Sequence, residues 1–280
     1  MRKAKLILLL FVFMSGFFHT QTKFYGSLEE AFKEPLKVKN LTISDDEDMV
    51  ELPESIDKLV NLENLIIAFN PKLKKLPESI GRLQKLRTLK IIDNASLLKI
   101  PDVIYDLKNL EELSLERSQI KQLPESIGNL INLRDLYLSE NQLKTLPNSI
   151  SNLKNLEDLY ADDNRLEEIP VSIKDLEKLR RINLNNNKIK VVPNIVYHLP
   201  NLWGLFLENN QIEKIDPELN QLKSLKVLAL ENNKITSFSL DLSNLLLLEE
   251  IVLHGNPISE EDLKFTRSKL AFGKIYFDNK

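Results

Sequence analysis

The residues in this chain most able to do chemistry are Tyr137, Tyr160, Trp203 and Phe206. Tyr137 and Tyr160 stand 23 residues apart, Phe206 falls two further intervals along, and Trp203 is the only tryptophan. Carboxylates recur beside them (Asp135, Asp158, Asp162 and Glu208), with Arg181 as the nearby cation. The chemistry such a set supports is recognition. Tyrosine and tryptophan give large contact area at low entropy cost, and an acidic edge suits a basic or mixed-charge ligand. Two plainer readings compete: the tyrosines pack only on each other, or the acids only keep the protein soluble. Asp158, Asp162 and Asp163 could hold calcium, but the spacing of a looped calcium motif is missing. Catalysis finds no footing. Beyond residue 20 only His198 and His254 remain, in different units and with no plausible triad partner. Seven glycines make no phosphate loop, and the acids are too numerous to single out a catalytic pair. With no cysteine, thiolate chemistry and cysteine-bound zinc are excluded. We expect no enzyme, no catalytic residue, no cofactor and no metal.

These aromatics are placed by a sentence that repeats ten times with a period of 23 or 24 residues. Units start at Val38, Leu62, Leu86, Leu110, Leu133, Leu156, Leu179, Leu202, Leu225 and Leu248. A period in this range marks a solenoid whose units contact only their neighbours. Within Leu133 to Asn155, the residues around Leu136 and Leu138 alternate as a short strand does. Pro147 to Leu153 reads as a short helical or 3-10 turn with proline at its first position. An asparagine follows each strand at 70, 94, 141, 164, 187, 210, 233 and 256, with Asp46 and Ser118 elsewhere in that column. Such side chains can satisfy backbone groups that a tight coil would strand, so a ladder is expected, continuing at Asp46 and more weakly at Ser118.

Stacked in register, the outward strand residues form columns. The central one runs Thr42, Ile66, Lys90, Ser114, Tyr137, Tyr160, Asn183, Phe206, Ala229 and Val252, and its aromatics are expected to face solvent. Just before each strand, charge alternates in sign: Lys39, Glu63, Arg87, Glu111, Arg134, Glu157, Arg180, Trp203, Lys226 and Glu249. This row reads as solubility and register control, with Trp203 set between Arg180 and Lys226 for a cation–π contact.

The pattern LxxLxLxxNxLxxLPxxIxxLxN resembles leucine-rich repeat proteins over Val38 to Asp278, and its LPxxI half looks like the Ras-suppressor and LAP-type subgroup, also abundant in bacteria. The resemblance implies an α/β solenoid. A parallel sheet would line its concave side, short helical or 3-10 turns its convex side, and a protein or peptide would be the usual ligand. Pro217 sits one place late, Phe238-Ser239 lacks the proline, and Ala161 replaces a core leucine.

The ends of a solenoid must be sealed. Ser27-Leu-Glu-Glu30 reads as a capping box opening a short helix, so residues 21–37 form an N-terminal cap, 38–258 the repeats and 259–280 a C-terminal cap ending in a strand at Lys274 to Phe277. Arg2, Lys3 and Lys5 before an apolar run to Phe18 read as a signal peptide over residues 1–20, which implies a secreted or cell-envelope protein. The run is too short to span a bilayer, which needs about 20 apolar residues, so we expect no transmembrane segment in the mature chain. Loss of those three cations takes the net charge from −3 to −6, which argues against nucleic acid. The expected partner is a protein or peptide, basic if the acids contribute; the alternatives are a binder of glycan or cell-wall material and a structural surface protein with no concave-face ligand. The glycosylation-type sequences at Asn40 and Asn94 read as chance matches.

Overall fold

The structure is a computed structural model and describes residues 23–271 and 273–277. The expected signal peptide, residues 1–20, lies outside the described residues. Twelve strands form one sheet in chain order, with every pair parallel. They are β1 (Phe24–Tyr25), β2 (Asn40–Ser44), β3 (Asn64–Ala68), β4 (Thr88–Ile92), β5 (Glu112–Ser114), β6 (Asp135–Tyr137), β7 (Asp158–Tyr160), β8 (Arg181–Asn183), β9 (Gly204–Phe206), β10 (Val227–Ala229), β11 (Glu250–Val252) and β12 (Lys274–Tyr276). The sheet is the concave face of a solenoid, and five-residue 3-10 turns form the convex side. The inward leucines and isoleucines of all units make one continuous core. β1 was not expected, because two residues carry no alternation to read.

Each 3-10 turn begins where a proline ends the preceding extended segment. Pro147 is the cap, in extended conformation (φ −67°, ψ 153°), and the turn runs Asn148–Asn152. The proline therefore stands one residue ahead of the position its sequence suggested. Its ring fixes φ and its missing N–H costs no bond there. Among the described five-residue turns Pro217 alone occupies the first helical position, and Asp216 caps that turn by accepting from the Glu218 N–H at 2.8 Å. The late proline leaves the turn in register.

After each strand the chain turns sharply inward through a residue with positive φ, such as Asp163 (53°), Asn186 (54°) and Asn209 (53°). Asparagine and aspartate tolerate that region best. The next residue is the ladder asparagine. The Asn187 amide reaches the carbonyls of Ala161, Leu184 and Asn185 at 2.9–3.1 Å, and its oxygen accepts from the Leu166 N–H. The same bonds recur at Asn164, Asn210 and Asn233. Ser118 reaches the Glu116 carbonyl at 3.0 Å and, at a weaker 3.4 Å, the Ile91 carbonyl of the previous unit. Asp46 departs from the expected ladder: its carboxylate accepts locally from the Asp48 and Met49 N–H groups. A carboxylate has no proton with which to serve a carbonyl.

Two irregular units have clear accommodations. Ala161 is fully buried in the leucine position. The unit that lacks the proline has no 3-10 turn; Ser239 stands at the proline position, and Phe238 is buried in the leucine position before it. The C-terminal helix takes over its backbone bonding, since Thr266 Oγ1 donates to the Phe238 carbonyl and accepts from the Leu240 N–H, both at 2.6 Å. Helix α1 (Leu28–Lys33) packs on β1 and β2, and α2 (Glu260–Lys269) carries a complete capping box from Ser259 and Asp262. At α1 the box is only half formed: Ser27 accepts from the Glu30 N–H, but the Glu30 carboxylate reaches Gly26, not Ser27. Asn40 and Asn94 are both buried, which leaves no room for glycosylation. The charged row does line up. Lys39–Glu63, Arg87–Glu111, Arg134–Glu157, Arg180–Glu157 and Lys226–Glu249 pair at 2.8–3.2 Å across neighbouring units.

Candidate functional site

Register alone brings the central column together. Tyr137 pairs with Tyr160, Tyr160 with Asn183, and Asn183 with Phe206. The two tyrosine rings stack with centroids 5.0 Å apart and planes 13° from parallel. Parallel strands sit about 4.8 Å apart, which is the natural distance for such a stack. The expectation that these rings stand out in solvent is therefore corrected. Tyr137, Tyr160, Trp203 and Phe206 point outward but are half-buried: the two tyrosine rings cover one another, and Arg181 lies over Trp203.

Arg181 continues the stack. Asp135, Asp158, Arg181 and Gly204 follow one another in the flanking column. The guanidinium of Arg181 donates through Nη1 to the Tyr160 hydroxyl and lies 4.5 Å from the Trp203 ring centroid. Its Nε is 3.9 Å from an Asp158 carboxylate oxygen. Trp203 does stand between Arg180 and Lys226 in its row, its backbone N–H donating to the Arg180 carbonyl and its carbonyl accepting from the Lys226 N–H. The cation over the indole is instead Arg181, because Arg180 and Lys226 are held by glutamates of their own row. Gly204 matters to this packing. A Cβ there would meet Phe206 Cε2 at 2.8 Å, so the Phe206 ring occupies the space a side chain would take.

The acids split into two groups. Asp135 and Asp158 lie beside the stack. Burial and the neighbouring Asp158 and Glu112 charges push Asp135 up to about 6, and burial raises Asp158 as well, against the pull of Arg181. Burial also raises the Tyr137 and Tyr160 hydroxyls. On the other flank, Asp162 accepts from Ser139 Oγ at 2.6 Å and from the Asn183 amide at 3.1 Å. Burial still raises its carboxyl. Asp158 and Asp162 lie on opposite sides of Tyr160 and do not converge, and no cluster able to hold a metal ion occurs among the described residues. Glu208 is apart from the stack, beyond Phe206.

There the sheet forms a hollow of about 350 Å³ that sequence reading missed. Its floor is Val227, Ala229 and Val252, between Phe206 and Tyr276. Glu208, Glu231, Glu250 and His254 edge it. The signal was present in the same columns, carried on past Phe206, but Tyr276 lies outside the repeat pattern. A larger trough of about 490 Å³ follows the charged row at Glu63, Arg87, Glu111 and Arg134. Its charges answer each other across units, as the register reading expected.

With this geometry in place, comparison with known proteins is informative. A leucine rich repeat profile matches residues 108–166 and 170–212. The fold is that of a leucine-rich repeat solenoid. Similar solved structures include an internalin (inlF) from Listeria monocytogenes, at 20% identity and TM-score 0.60, covering 88% of this chain and 84% of that one. Internalin C2 from the same organism is 28% identical, with TM-score 0.57, covering 66% and 77%. The plant peptide hormone receptor RGFR1 in complex with RGF2 is 23% identical, with TM-score 0.62, covering 91% of this solenoid but 50% of the receptor. A search of curated proteins by sequence finds no match. No helix among the described residues is long and apolar enough to cross a membrane.

Proposed function

We propose that this solenoid is a non-catalytic recognition protein that binds a protein or peptide on its concave face. Tyr137, Tyr160, Arg181, Trp203 and Phe206 form the contact, with Asp135, Asp158, Asp162 and Glu208 around it. The observation that carries this reading is the continuous tyrosine–tyrosine–arginine–tryptophan stack. Its side chains are ordered by one another before any ligand arrives, so little further entropy is lost on binding. Asp135, raised by burial and its acidic neighbours beside the stack, favours a basic partner. The fold likeness to a receptor solved with its peptide supports the same class of role by analogy. The basic, then apolar, start of the chain supports a secreted or envelope location. The proline heading each convex turn supports the LPxxI subgroup.

Glycan or cell-wall binding is the second reading, favoured by the flat tyrosine pair, on which a sugar face could lie. The test is capture of partners by the full chain and by the quadruple Tyr137→Ala, Tyr160→Ala, Trp203→Ala, Phe206→Ala variant, beside a polysaccharide screen. Loss of a captured protein or peptide in the variant is expected. Capture by the variant equal to wild type rejects the site, and polysaccharide binding without peptide capture favours the second reading.

A further inference from the structure

We propose that the hollow beyond Phe206 is a subsite for one lysine or arginine side chain of the partner. Its methylene stem would lie on Val227, Ala229 and Val252, and its charged head between Glu208 and Glu231. This rests on the reading that the concave face binds a protein or peptide, and adds which side chain is selected and where.

The hollow has the amphipathic shape of a long basic side chain. Ala229 and Val252 pair in the central column, next in line after Phe206, and give an apolar floor. Glu208 and Glu231 stand together along one margin of that floor. Long basic side chains bury their stems on apolar surface and keep the head at a polar margin. At about 350 Å³ the space has room for one long side chain.

Two carboxylates are crowded at this margin, and a hydrogen bond with the Asn185 side chain offsets only part of the effect on Glu208. Burial and the adjacent Glu231 carboxylate raise Glu208. The cations around the hollow are occupied elsewhere: Lys226 pairs with Glu249, and Arg181 is held by Tyr160 and Trp203. Lys274 is the strand partner of Glu250, on the opposite margin. His254 lines the hollow beside Glu231 and is engaged within the protein. A cationic head between Glu208 and Glu231 would relieve the repulsion of two close carboxylates, whereas an apolar ligand would bury it further.

The test selects peptides from a displayed random library on the full chain. One selected peptide is then measured against wild type and against Glu208→Gln/Glu231→Gln, both as selected and with its basic residue replaced by norleucine. Enrichment of lysine or arginine at one peptide position is expected. The norleucine exchange should weaken binding about tenfold on wild type and less than about twofold on the double variant. Ala229→Leu, which fills the floor without touching a charge, should weaken the basic peptide as well. Should the double variant melt early, Glu231→Gln alone is read in the same way. Peptides that bind through the stack, lost in Trp203→Ala, yet show no basic preference overturn the subsite and leave the proposed function standing. An equal norleucine penalty on both proteins also overturns it. Failure of wild type to capture any peptide overturns both.

Discussion

Arg181 and Trp203 sit face to face across adjacent units, the guanidinium carbon 4.5 Å from the indole centroid. The same guanidinium donates to Tyr160, so one cation ties three units together. It is the centre of the stack, and its loss should be felt on both sides.

Replacing Arg181 with alanine removes two ring contacts and leaves Asp158 without its nearest cation. A loss of about 1–2 kcal/mol is expected in urea unfolding, with a shifted emission of Trp203. Arg181→Lys should recover only part of this, because an ammonium cannot stack and donate in one plane. Unchanged stability and emission in Arg181→Ala would show that the stack is incidental.

Asp135 gives a pH signature. Its folded pKa of about 6 lies above the unfolded value, so the folded state holds the proton more tightly. Its charge therefore destabilises the fold at neutral pH, and that penalty fades as pH falls from above 6 towards 4. Asp135→Asn should be more stable than wild type at pH 7, by roughly 1 kcal/mol once the solvated side is discounted, and the difference should close near pH 4. A difference that does not change with pH in thermal melts would reject this account.

Asn187 is the inner-ladder example. Asn187→Ala strands the Leu166 N–H in a buried coil and takes one donor from the Ala161 carbonyl, which keeps the Asn164 amide. A cost of about 2–3 kcal/mol is expected from the unpaired N–H and the lost bonds. An exposed control without a positive φ, such as Asn148→Ala, should cost far less, and chemical denaturation of the pair separates ladder from surface.

Gly204→Ala should shift the Phe206 ring, since the added methyl would meet it at 2.8 Å. The ring is half-buried and can tilt, so stability should change by less than about 1 kcal/mol while partner capture falls. Unaltered Phe206 ring resonances together with full capture would contradict the packing described.

The repeat period and its leucines made the solenoid and its strand register readable before any coordinates. Fixed columns then named Tyr137, Tyr160 and Phe206 as neighbours. Side-chain direction was harder. Arg180 and Arg181 are adjacent in sequence, and only strand geometry decides which one turns over Trp203. Exposure failed for the same reason: Tyr137 and Tyr160 cover each other from 23 positions apart. The hollow was missed because Tyr276 follows the last repeat and so belongs to no column readable by period. The unit at Phe238 was flagged by its missing proline, but its repair by Thr266 is a contact between distant segments with no local trace.

The strict succession of the ladder makes the molecule a ruler. Phe206 separates the aromatic stack from the hollow, and the distance between them is set by counting coils. Inserting one whole coil after β9 would move the two apart by about 4.8 Å while every leucine and asparagine kept its role. The spacing of the ligand features that fit could thus be altered in discrete steps, by lengthening the array, with no change to any residue that touches them.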